Sequence, residues 1–104
     1  MSKKTVSTIL ALALISSSAM ADSEFCGALA KAAENLMKGH QNGAAMSDML
    51  AVNANKSPVL KDLLDSLVME AYSEPRYGSE KMKLRIIGEF RDKIHVECLR
   101  QIND

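Results

Sequence analysis

The sequence predicts an all-α protein: a compact array of about four helices whose first and last members are joined by a disulfide. Three observations carry this. Apolar residues recur at three- and four-residue intervals through most of the chain after residue 24. No stretch alternates apolar and polar residues over a useful length, and only 4% of the residues are aromatic, so strands have little to build on. The chain's two cysteines, Cys26 and Cys98, lie near opposite ends of the segment that follows an export-type leader.

That leader occupies residues 1–21. Lys3 and Lys4 form a positive start, Val6 to Ile15 an apolar run, and Ala19-Met20-Ala21 a small-x-small cleavage pattern. The run is shorter than the roughly twenty residues a membrane span needs. The pattern therefore predicts a signal peptide cleaved after Ala21 and one small helical domain over 22–104, with no stable membrane insertion after cleavage. A lipoprotein would carry cysteine directly at the cut, whereas Asp22, Ser23, Glu24 and Phe25 precede Cys26.

Export implies an oxidising compartment, where a cysteine pair forms and keeps a disulfide. Closing a loop of about 73 residues removes roughly 4 kcal/mol of unfolded-state entropy in the chain-entropy model. A domain of about 83 residues gains much from such a staple.

The helices follow in order. Cys26, Leu29, Ala33, Leu36 and Met37 place one apolar stripe on a helix over Glu24–Lys38, with Asp22 or Ser23 as cap and Gly39 as terminator. Residues 44–52 carry Met46, Met49 and Leu50 on one side of a short second helix, ended by Asn53, Asn55 and Lys56. Ser57-Pro58 is a strong helix start, and Leu60, Leu63, Leu64, Leu67, Val68 and Ala71 give the clearest amphipathic pattern in the chain, predicting a central core helix stopped by Pro75. Ser79 opens the last helix, lined on one side by Met82, Ile86, Ile87, Phe90, Ile94, Cys98 and Ile102. Cys26 and Cys98 both sit on apolar stripes, so the terminal helices should run antiparallel and meet with Cα atoms within about 7 Å.

Charge excludes little by itself but narrows the partners. Removing Lys3 and Lys4 from 13 basic residues leaves 11 against 13 acidic ones, so the exported domain is not globally basic, and its expected place outside the cytoplasm argues against nucleic acid as a target. Arg76, Lys81, Lys83, Arg85, Arg91, Lys93 and Arg100 make the last segment locally positive. One reading is a basic face for anionic lipid, glycan or a negatively charged partner; Glu80, Glu89, Asp92 and Glu97 are interleaved at helical spacing, which favours a solvated, salt-bridged face.

No constellation predicts catalysis. His40 and His95 are the two imidazoles, neither lies in a serine or cysteine nucleophile motif, and both read as surface residues, His40 at a helix C-terminus where a cation is favoured. The sequence therefore predicts a non-enzyme that needs no cofactor. Met46-x-x-Met49 places two thioethers on one helix face, a weak Cu(I) candidate with His40 as third ligand. Methionines at this spacing more often fill core space.

Residues 71–78 are the most distinctive stretch. Tyr72 and Tyr77, the chain's two tyrosines, flank Pro75 and Arg76 in a connector that cannot be helical throughout. Tyrosine and arginine are favoured interface anchors, which makes Tyr72, Arg76 and Tyr77 a candidate interaction patch. The competing reading has Tyr72 covering the core and Tyr77 stapling the next helix.

The layout of Cys26, Gly43-x-x-Met46-x-x-Met49, Ala71-Tyr72, Pro75-Arg76-Tyr77, Phe90 and Cys98 resembles small exported, disulfide-linked helical proteins of Gram-negative bacteria and their phages. The resemblance implies a periplasmic or extracellular location and a helical fold. The general plan is also similar to that of periplasmic acid-stress chaperones and of phage-encoded periplasmic proteins that inhibit an incoming lysozyme. The resulting expectation is a non-enzymatic periplasmic protein that contacts an envelope protein as inhibitor, adaptor or structural factor. The alternatives are an acid or stress chaperone exposing the Leu60–Val68 stripe, and a copper carrier using Met46 and Met49.

Overall fold

A computed structural model describes the backbone of residues 3–103 and the side chains of residues 22–103. It contains four helices, α1 (Lys3–Gln41), α2 (Met46–Val52), α3 (Pro58–Tyr72) and α4 (Glu80–Ile102), and no strand among the described residues. The signal-peptide reading rests on residues 1–21, whose side chains lie outside the described residues.

Helix α1 differs from its expected bounds at both ends. In the full chain no glycine or proline precedes Gly27, so the helix continues upstream through Asp22 and Ser23, and neither acts as a cap. Gly39 does not terminate it either. The helix ends two residues later, where Gly43 takes a φ of 91°. There Ala44 N–H donates to the Gly39 carbonyl at 2.9 Å and Gly43 N–H to the His40 carbonyl at 3.1 Å. This is the Schellman arrangement, and a left-handed residue at its C′ position favours glycine. Gly39 has another use: a Cβ there would lie 3.1 Å from Met49 Cε, so its bare backbone lets α2 approach α1.

The packing order also departs from expectation. The centre of the fold is α1, against which α3 and α4 pack more extensively than against each other. Cys26, Leu29, Ala30, Ala33 and Met37 of α1 are buried, whereas α3 buries Leu67, Val68 and Ala71 and leaves Leu60, Leu63 and Leu64 partly covered. A helix packed on one face shows one clean apolar stripe; a helix contacted from several sides spreads its apolar residues around the axis. The strongest amphipathic pattern therefore marks a flanking helix. Small residues at 30 and 33 let the neighbours close in, and full burial of side chains such as Val68 is worth about 1.5–3 kcal/mol each.

Helix α4 lies antiparallel to α1. Cys98 is bonded to Cys26 with Cα atoms 5.5 Å apart, and Arg91 meets Glu34 at 3.1 Å farther along. Ile87, Phe90 and Ile94 form its buried stripe, while Met82 is exposed. Ser79 caps α4 by accepting from Met82 N–H at 3.2 Å. Ser57 does not cap α3 through its side chain; its carbonyl accepts from Lys61 N–H at 2.7 Å and Pro58 supplies the start. Helix α3 ends at Tyr72, before Pro75 is reached.

Candidate functional site

The bundle has two ends of different character, and the sequence-predicted residues divide between them. At the first, the C-terminal turn of α1 meets the connector between α3 and α4. Gln41 is fully buried there, its Nε2 donating to the Pro75 carbonyl at 2.8 Å and its Oε1 accepting from Tyr77 N–H at 2.9 Å. His40 is also buried, contrary to its expected surface position, with Nε2 against the Glu74 carbonyl. A carbonyl can only accept, so Nε2 carries the proton.

Tyr72 completes this lock. Its ring lies 4.2 Å from that of His40, and its hydroxyl donates to the Ala44 carbonyl at 2.6 Å. Burial, with the charge of Asp48 adding to it, pushes the phenol's pKa up and keeps it a donor. Tyr72 thus ties α3 to the turn after α1. Tyr77 is held through its backbone and is half-buried. Arg76 is exposed, with its guanidinium over Gly43, where a Cβ would come within 3.2 Å of Nη2. Sequence reasoning missed Gln41 entirely, since its partners are backbone groups 34 and 36 residues away.

Of the Met46, Met49 and His40 set, Met49 and His40 have packing partners of their own. Met49 packs on Gly39, and the Nε2 of His40 is taken by the Glu74 carbonyl. Among the described residues no group of three or more His, Cys, Asp or Glu is placed to hold one.

At the second end stands the disulfide. Phe25, 45% exposed, separates two apolar hollows that share Leu29. One, of about 230 Å³, lies between α3 and α4 and is lined by Leu63, Leu67, Ile94 and Cys98, with Glu70, Glu97 and Gln101 on its rim. The other, of about 200 Å³, is bounded by Ala28, Ala32, Leu60 and Leu64. It lies on the seam between α1 and α3. Helix α2 covers only the other part of that seam, where Asn53 donates to Asp65 at 2.9 Å.

Ion pairs frame these surfaces. Lys61, with Asn53 contributing, holds the Asp65 carboxyl below the usual range, and the Glu70 pairing at 2.9 Å raises Lys93. Lys31 and then Arg91 lower Glu34, so the α1–α4 contact includes a charge-assisted link. Glu97 has no ion-pair or side-chain hydrogen-bond partner among the described residues. The rim is acidic and its floor apolar. The expected salt-bridged face of α4 is present in Arg85–Glu89 and Arg91–Asp92, both at 2.9 Å.

None of the described helices is long and apolar enough to cross a membrane. No protein-family model, curated protein or solved structure matches this chain.

Proposed function

We propose that this is a small exported periplasmic protein acting without catalysis, through contact with an envelope protein, as an inhibitor, adaptor or structural factor. The observation that carries the reading is the half-exposed Phe25 between two apolar hollows, one between α3 and α4 and one on the α1–α3 seam. Apolar concavities with a few polar groups at the edge are recurrent binding sites, and a groove between two helices suits the apolar side of a third. Glu97 on the rim, with Glu70 already paired to Lys93, favours a partner segment whose apolar anchor is flanked by Lys or Arg. The Tyr72–Arg76–Tyr77 patch is assigned to packing for Tyr72, leaving Arg76 as its one fully exposed member.

Photo-cross-linking in cells tests this. A cross-linker replacing Ser66, which lines the larger hollow, should give one protein adduct that Glu97→Lys weakens. The same cross-linker replacing the exposed Arg85 should not give it. No adduct from position 66, or the same adduct from both positions, would contradict the assignment.

A further inference from the structure

We propose that the Cys26–Cys98 disulfide is a latch on the last two turns of α4, and that a dithiol reaching Cys98 through the larger hollow releases those turns while the rest of the domain stays folded. The anchoring of α4 is uneven. Its buried side chains are Ile87, Phe90 and Ile94, and its ion pairs to other helices come from Arg91 and Lys93. Beyond Ile94 no residue of α4 is buried, and Cys98 supplies the one covalent tie. The side chains of 95–102 are at most partly covered, so without that tie these turns open at far lower cost than the segment that carries Ile87, Phe90 and Ile94.

The two cysteines are not equally exposed. Cys26 is 0% exposed, whereas Cys98 is half-buried and lines the hollow. A thiolate of the dithiol attacks Cys98 Sγ, the Cys26–Cys98 bond breaks, and Cys26 leaves as a thiolate that takes up a proton. The second thiol of the reagent, as its thiolate, then attacks its own mixed-disulfide sulfur and expels Cys98, which is protonated. The dithiol ends as a disulfide and the protein as two thiols. Release of 95–102 would uncover Phe25, Leu29 and Leu63. That this gates binding rests on the contact reading above; the release itself does not.

Hydrogen exchange read by mass spectrometry on the isolated chain decides it, comparing the oxidised protein, the protein in dithiothreitol, and Cys26→Ser/Cys98→Ser. Amides at 96–102 should lose at least tenfold protection in both altered forms, with 33–41 and 64–72 still protected and binding of an apolar dye increased. Protection lost throughout the chain, or kept at 96–102, would overturn the latch. Release in the serine variant but an intact disulfide in dithiothreitol would overturn the route through the hollow. If release occurs without the position-66 adduct in cells, the contact reading fails and the latch stands.

Discussion

The two ends of the bundle hold the same helices by opposite means. At the connector end, Gln41, His40 and Tyr72 fix three chain segments with directional bonds to backbone groups. At the disulfide end one covalent bond and apolar contacts do the work, with two hollows left on either side of Phe25. A buried polar network specifies one arrangement because each unpaired member is costly. Apolar surface bounded by a staple carries no such directional demand, and here it leaves the two hollows open.

The comparison can be broken at either end. The largest effect is expected from Cys26→Ser/Cys98→Ser, which should cost about 2–4 kcal/mol in urea denaturation because the unfolded chain regains its freedom. Gln41→Ala should cost about 1–3 kcal/mol, since it leaves the Pro75 carbonyl and Tyr77 N–H without their partner. If Gln41→Ala proved neutral in the same titration, the connector end would not be a lock. The smallest effect belongs to Asp65→Asn, read as melting temperature against pH. Asp65 has its folded pKa depressed below the ordinary 3.8, so its contribution is present above that value and is lost as pH falls through the folded one. The gap between parent and variant should therefore be widest near neutrality and shrink as pH falls through and below the ordinary carboxylate range. A gap unchanged by acid would mean that the Lys61 pairing contributes nothing.

Much of the fold was legible in the residues. Pro58 and the leucine spacing placed α3, Ser79 placed the start of α4, and the two cysteines on apolar stripes placed the antiparallel contact of α1 and α4. The error at Gly39 has a physical cause. Two glycines stood near the end of α1, and which one takes positive φ depends on where α2 docks, since Gly39 is needed bare for Met49. The centre of the fold was misread because one-sided amphipathicity marks a helix with one buried face, as on α3. The site was least legible. His40 and Gln41 look like surface polar residues until the connector's carbonyls arrive beside them, and the hollows at Phe25 exist only because α3 and α4 both pack on α1.

The most direct test of the claim that the two ends are held independently is a double-mutant cycle between them. Cys26 and Gln41 are about 22 Å apart along α1, at 1.5 Å per residue, beyond the range at which separate sites couple. Urea denaturation would be measured for the parent, Tyr72→Phe, Cys26→Ser/Cys98→Ser and their combination. Tyr72→Phe removes only the hydroxyl that reaches Ala44, so its cost should be about 1 kcal/mol. The account predicts additive losses, with a coupling within about 0.5 kcal/mol. A coupling above about 1 kcal/mol would show that the covalent staple and the polar lock are parts of one device, and would contradict it.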